Sequence, residues 1–482
     1  MVGIRPKRLM SFYVRFGVQL LIIGLAIGIC CGCGTPSAYA SATGDSEGLS
    51  SLQSATLQRI IDEAEPGSVV VLPEGSYSGA IVIAKELTVQ AADNVVLTNT
   101  TSSPAVMIKA DGVVLQGLRI TQEYADEETA AVLVQADDTA LTELRIKTQG
   151  SGIMLRDANE AAIFNNEVTW YRARDTNGVS SNEARPRGNG IDLYNSRGSR
   201  IERNRIANMK DGIYLENSSQ LIVEKNRIYS SRYGIHCMYI DESRIVGNIG
   251  EYNFTGAMIM GVKNAQISNN SFLKQNRNVY SQGLLLYDVQ TSTIERNYVE
   301  GNRVGIYIER SSNNELMENS VYRNFIGIQM LGAENNKLHH NDFVANVIEA
   351  EATNSKDNEL YHNYWDSAQG LDMDDDGISE IAYAINPFYQ QMIADKPAFM
   401  LFFQSPGMAF LSAMYTANRE QWTTDRSPFM HLNVALDETA ALSSGDVVKE
   451  RVLSKETFML IIACMLLITA SLTIIYSGVI KS

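Results

Sequence analysis

The chain has 482 residues, 45% of them hydrophobic and 20% charged, which suits a large buried core and excludes a disordered tail protein. Forty lysines and arginines against 55 acids leave a net charge of −15, so a basic nucleic-acid binder is excluded as well. Glycine is ordinary at 35 residues, and no collagen period is present.

Residues 1–40 read as a signal peptide. Arg5, Lys7, Arg8 and Arg15 form a charged front, Phe16 to Ile29 is apolar, and Ala38-Tyr39-Ala40 supplies a small-residue cleavage site. Cys33 raises a lipoprotein reading, which Cys30, Cys31 and Gly32 fit poorly, and a retained N-terminal anchor is the main rival. Cleavage leaves only Cys237 and Cys464, too far apart in sequence for a disulfide framework. Residues 54–66 predict a short helix that caps the first coil of a repeat array.

From residue 67 to 365 the sequence repeats. Glycines stand 22 apart at Gly190, Gly212, Gly234 and Gly256, and again at Gly283, Gly305 and Gly327. An asparagine lies 14 residues after each: Asn204, Asn226, Asn248, Asn270, Asn297, Asn319 and Asn341, with Asn363 on the same beat and an earlier pair at Gly152 and Asn166. Two insertions break the beat, 16 residues between Asn166 and Gly190 and five between Asn270 and Gly283. Between these marks apolar residues alternate in short bursts, which is the strand period, and no stretch is long enough for a helix. A leucine-rich repeat would need its own fixed frame, which is absent. The pattern predicts an all-β right-handed parallel β-helix with three short strands per coil and roughly twelve coils about 4.8 Å apart. A column of asparagines satisfies the turns by bonding amide to amide between coils.

Counting from each glycine, the first and third residues point inward, a column that includes Cys237 as a core thiol. The second and fourth point outward. In two adjacent coils those outward positions are His236 and Met238 above Met258 and Met260. Imidazole and thioether together suit Cu(I) and not Mg²⁺, Ca²⁺ or Mn²⁺; the same methionines also suit an adaptable apolar interface. A lyase or polygalacturonase would instead need clustered carboxylates, and Asp192, Glu216 and Glu309 fall on separate coils.

Residues 366–390 form an acidic closing loop. Asp372, Asp374 and Asp376 alternate before Gly377, and Glu380 follows, an abbreviated Ca²⁺ loop without the usual acid at its twelfth position, where Tyr383 stands. Residues 391–430 are apolar, with a helix start at Ser405-Pro406. Met400, Phe402, Phe403, Phe410, Leu411 and Met414 mark the segment as a docking element, against another protein or against the rod itself. Residues 431–457 are a linker. Residues 458–480 carry no charge over 23 positions and read as a single transmembrane helix, holding the domain on the outer face of the cytoplasmic membrane.

The blocks Y-G-I-H-C-M-Y (233–239), G-A-M-I-M (256–260) and G-L-L-L-Y (283–287), together with N-Y-W-D and S-P-G-M-A-F-L…R-S-P-F-M (405–430), resemble the NosD family. The resemblance implies an extracytoplasmic, non-enzymatic accessory protein for maturation of nitrous oxide reductase. It also implies an ABC permease and ATPase as partners, and a copper-carrying lipoprotein as donor. The tail anchor departs from the soluble periplasmic members. The alternative is a polysaccharide lyase or epimerase anchored at the cell surface.

Overall fold

The computed structural model describes residues 57–433, apart from 93, 125, 172–186, 277, 403 and 404. All described residues lie in one compact unit, which spans 51–482. The expected signal peptide and transmembrane helix, and nearly all of the 431–457 linker, therefore lie outside the described residues. Among the described residues no helix is long and apolar enough to cross a membrane.

The repeat folds as predicted. Three sheets of 15, 13 and 12 strands run along the solenoid; each complete coil gives one parallel strand to each sheet, and the first sheet gains two short strands from beyond the coils. Successive strands of a sheet pair at the 22-residue beat, as in Arg200 to Ile222 to Arg244. The connection between parallel neighbours takes the right-handed sense that such crossovers adopt. The core is one column of side chains per strand: Ile213, Leu215, Ile235, Cys237, Ala257 and Ile259 are all fully buried. Cys237 is a core residue, and burial pushes its thiol well above the usual range.

The glycine column has a steric cause. A Cβ on Gly234 would lie 2.4 Å from the carbonyl oxygen of Gly256, and one on Gly212 would lie 2.6 Å from that of Gly234. Backbone of one coil occupies the space a side chain would need.

The asparagine column is a continuous ladder. From Asn166 through Asn204, Asn226, Asn248, Asn270, Asn297, Asn319 and Asn341, each Nδ2 donates to the Oδ1 of the next rung at 2.9–3.0 Å. Each backbone N–H donates to the same oxygen, for example Asn226 N to Asn248 Oδ1 at 3.0 Å. The residue before each rung is left-handed, among them Arg203, Lys225, His340 and His362. The ladder supplies the hydrogen bonds that this sharp turn takes from the sheet. A second ladder, unforeseen from the sequence, runs through Asn253, Gln275, Asn302, Asn324 and Asn346.

Both ends are closed. Residues 57–63, inside the 54–66 segment expected to cap the array, are helical, with Leu57 and Ile61 both fully buried in the core. At the other end Thr424–Asp425 pairs with the last strand of the first sheet at Leu360, and antiparallel with Tyr383–Ala384. Trp365 fills the base, stacked between Phe343 at 4.3 Å and Tyr383 at 4.5 Å.

Candidate functional site

The third sheet carries the predicted outward columns in register. His236 pairs with Met258 and Met238 with Met260 on the adjacent strands Tyr233–Met238 and Thr255–Met260. The intervening Cys237 and Ile259 are fully buried, so the alternation is as expected. The three methionines are half-buried.

His236 differs from the expectation of a solvent-pointing arm, being only 7% exposed. Tyr214 from the preceding coil and Tyr233 from its own strand meet its ring edge-on, at 5.0 and 4.8 Å between centroids. Its Nδ1 lies 2.9 Å from Asp211 Oδ2. Asp211 is buried and also accepts from Arg232 Nε at 2.8 Å and Nη2 at 2.7 Å, a bidentate pair. Burial alone would raise the Asp211 carboxyl, but the hydrogen bonds from His236 and Arg232 and the charge of Arg232 outweigh it and hold the group below its usual range. An ionised Asp211 fixes the proton of His236 on Nδ1. The other nitrogen, Nε2, is buried and has no hydrogen-bond partner.

The arrangement is therefore that of a histidine oriented by a carboxylate, with an unused lone pair on the far nitrogen. Metal-ligating histidines are built this way. Tyr214 ties it to the methionine column: its hydroxyl lies 2.7 Å from Glu216 Oε2 and 3.5 Å from Met238 Sδ. Burial, and then the Glu216 carboxylate, raise the phenol far above its ordinary value, so it stays neutral.

A cleft of about 370 Å³ opens beside His236 toward the N-terminal coils. Its carboxylates are Glu127, Glu128, Asp192, Asp211 and Glu216, against Arg156, Lys210 and Arg232. Each base is paired: Arg156 with Asp192 at 2.6 Å, Lys210 with Glu127 at 3.0 Å, and Arg232 with Asp211 at 2.7 Å. Asp192, Glu216 and Glu309 do lie on separate coils, but stacking of adjacent coils brings Asp192 and Glu216 to this one cleft beside Asp211, while Glu309 does not line it. Asp211 and Arg232 escaped the sequence reading because they precede the glycine of each coil, just before the stretch where alternation was counted. The signal was the D-G and R-Y-G spacing, 21 residues from acid to base.

At the acidic loop, oxygens of Asp372, Asp374 and Asp376 lie within 4.8 Å of one another. Asp372 accepts backbone N–H groups of Asp375 at 2.7 Å and Gly377 at 2.8 Å, and these bonds, the Gly377 one first, lower its pKa. Glu380 turns to the Met373 N–H, at 3.2 Å, and is not in the cluster.

The docking segment forms the helices Phe388–Asp395 and Pro406–Met414, joined through a 3-10 turn over Pro397–Phe402. Ser405 caps the second helix, accepting from the Met408 N–H as the Ser-Pro start predicts. Phe402, Phe410, Leu411 and Met414 are 49–64% exposed. Phe403 and the Met400 side chain lie outside what is described. Further on, residues 424–429 dock on the rod itself, where Phe429 N donates to Asn363 O at 3.0 Å.

With this geometry in view, the resemblance to the NosD family holds. Residues 172–373 match the family model described as periplasmic copper-binding protein (NosD). A curated relative from Stutzerimonas stutzeri, "Probable ABC transporter binding protein NosD", is 25% identical over 144 residues, which is 29% of this chain. The chain spans about a third, 31%, of that relative's length. Among solved structures, the alginate lyase AlyF-OU02 in complex with G6 is 15% identical with a TM-score of 0.49, covering 66% of this chain and 84% of that one. The mannuronan C-5 epimerase AlgE6 A-module of Azotobacter vinelandii is 13% identical with a TM-score of 0.44, covering 63% and 94%. Likenesses this distant say nothing of what the chain binds.

Proposed function

We propose that this chain is an extracytoplasmic accessory protein that takes up Cu(I) at His236 with Met238, Met258 and Met260, and passes it on during assembly of nitrous oxide reductase. An ABC permease and ATPase would be its partners and a copper-carrying lipoprotein its donor, with residues 458–480 as membrane anchor. The description of the matching family supports the copper reading, and the relative's name supports the transporter partner. The observation that carries it is the buried, unpartnered Nε2 of His236, oriented from behind by Asp211.

Copper is cargo in this reading, so a loose hold is an advantage. Imidazole with thioethers makes a soft, neutral ligand set that favours Cu(I). A partner offering better ligands can remove the ion stepwise, because three of the four side chains are half-open to solvent. The cleft attracts cations, since its five carboxylates outnumber its three bases. Phe402, Phe410, Leu411 and Met414 would form the contact with the permease. The carboxylates of Asp372, Asp374 and Asp376 are proposed as a structural Ca²⁺ loop that steadies this end.

The second reading, a lyase or epimerase, draws on Tyr214 and His236 as acid–base groups at a cleft. The electrostatics oppose it: a polyuronate chain would meet a net negative lining whose every base is already paired. A screen for unsaturated ends on uronate polymers decides this alternative.

The full chain is expected to take up Cu(I) from a colorimetric chelator, with thioether sulfur visible by X-ray absorption. In a His236→Ala/Met258→Leu variant the sulfur-containing equivalent should be lost. Unchanged sulfur ligation in that variant would overturn the site.

A further inference from the structure

Three of the chain's five histidines stand together far from His236. His339 ends a strand of the first sheet, Lys337–His339, and His340 occupies the left-handed turn position immediately after it. His362 takes the same turn position one coil later. The repeat places side chains at this position directly above one another, and the rings of His340 and His362 meet at 5.3 Å. His362 is in turn stacked on Phe429 at 4.8 Å.

The two adjacent imidazoles face each other. His339 Nδ1 lies 2.9 Å from His340 Nδ1. The far nitrogen of His339, Nε2, lies 3.0 Å from Glu315 Oε1. A carboxylate there accepts a hydrogen bond from Nε2–H, which holds the proton on Nε2 and leaves Nδ1 as the lone-pair side of the ring. Tyr361 fixes the ring plane from the next coil, stacked at 4.8 Å and 12°. His340 is half-buried and so reachable from solvent. As a second ligand it carries its proton on Nε2 instead of Nδ1, a change of tautomer with no net proton lost.

We propose that His339 and His340 form a second Cu(I) site, two-coordinate through their Nδ1 atoms, with Glu315 orienting His339 from behind. Zn²⁺ is unsuited, because it takes four ligands in a structural site and only two nitrogens converge here. Two bonds of roughly 2.0 Å in line need about 4 Å between the nitrogens, so the pair opens by about 1 Å on binding. The site stands apart from the one at His236. Five coils separate Ile222–Glu224, the first-sheet strand of the coil that carries His236, from Lys337–His339. At ~4.8 Å per coil that is roughly 24 Å along the solenoid, too far to share an ion. The inference rests on the histidine geometry alone and does not depend on the reading of His236.

The test uses the full chain, Cu(I) as the probe, and a competing chromogenic chelator. The parent is expected to bind two equivalents. His340→Asn keeps a residue that tolerates the left-handed turn and should lose one equivalent, its affinity falling at least tenfold. His236→Ala should lose the other. In a Met238→Leu/Met258→Leu/Met260→Leu/His236→Ala variant the remaining copper should show two nitrogen neighbours and no sulfur by X-ray absorption. Loss of copper from His236→Ala with none from His340→Asn would overturn this site and leave the first standing; the reverse would do the opposite. Sulfur ligation of the remaining copper, or binding of Zn²⁺ with no Cu(I), would also overturn it.

Discussion

Asp211→Asn is the substitution that separates an oriented metal ligand from a merely buried histidine. The change keeps the size of the side chain and removes its charge. Asp211 makes three hydrogen bonds, two from Arg232 and one from His236. An amide in its place presents an NH₂ either to Arg232 Nε, on the Oδ1 side, or to Arg232 Nη2 and His236 Nδ1 together, on the Oδ2 side. Where that NH₂ meets His236 Nδ1, the imidazole moves its proton to Nε2 and can no longer ligate there. Disturbing such a backing partner weakens metal binding about 10–100-fold, or roughly 1.4–2.7 kcal/mol. Arg232 is 44% exposed on its side chain, so water takes over part of its lost pairing, and the stability cost stays at about 1–3 kcal/mol. Chelator competition for Cu(I) reads the first quantity and urea unfolding the second. Glu309→Gln is the control, because Glu309 accepts from the Tyr307 hydroxyl at 3.0 Å in the same column and has no tie to His236. Equal Cu(I) affinity in Asp211→Asn and parent would refute the reasoning. The pH dependence has a definite sign. The folded Asp211 carboxyl titrates below its unfolded value, so its stabilising contribution is complete above about pH 4 and disappears as pH falls through the folded value.

Two further predictions concern the solenoid. Asn248→Ala leaves the Asn226 N–H and Nδ2 and the Val223 carbonyl without the partners they hold at 2.9–3.0 Å. At about 1–3 kcal/mol per buried orphan, roughly 3–9 kcal/mol should be lost on urea unfolding, and a loss below ~1 kcal/mol would contradict the ladder's role. Gly234→Ala drives a methyl into the Gly256 carbonyl and should destabilise or abolish the fold, whereas Gly407→Ala, with open space around it in a helix, should be neutral or stabilising; equal melting temperatures for the two would disprove the steric account.

The fold was legible because a solenoid writes its geometry into the sequence as a period. Gly234 and Asn248 each answer to one local requirement repeated every coil, so the column is visible without coordinates. The second ladder was harder to see, since Gln275 replaces asparagine and Asn253 falls outside the regular motif. The candidate site was half legible. His236 and Met258 emerge from alternation, but the burial of His236 depends on Tyr214 and Tyr233 closing over it, which periodicity does not encode. Asp211 and Arg232 meet because the chain turns into the third sheet at that point. The vicinal histidines are plain in the sequence, and His362 lies 22 residues after His340, yet their meaning appears only when Glu315, from the coil above, is seen at 3.0 Å.

The amide ladder also has a direction. Every rung gives its N–H toward the C-terminal end, so the aligned dipoles add up to a partial positive charge there, much as peptide units do along a helix. What receives it is not another amide but the carboxylate of Asp425, whose Oδ2 takes Asn363 Nδ2 at 2.9 Å, Asn363 N at 3.1 Å and Trp365 Nε1 at 3.0 Å. Asp425 arrives from 60 residues downstream of Trp365, after the chain has passed through the exposed helix. Stacking of this row therefore terminates chemically: an anion neutralises it, and both donors of its last rung, Asn363 N and Nδ2, are taken by the same carboxylate.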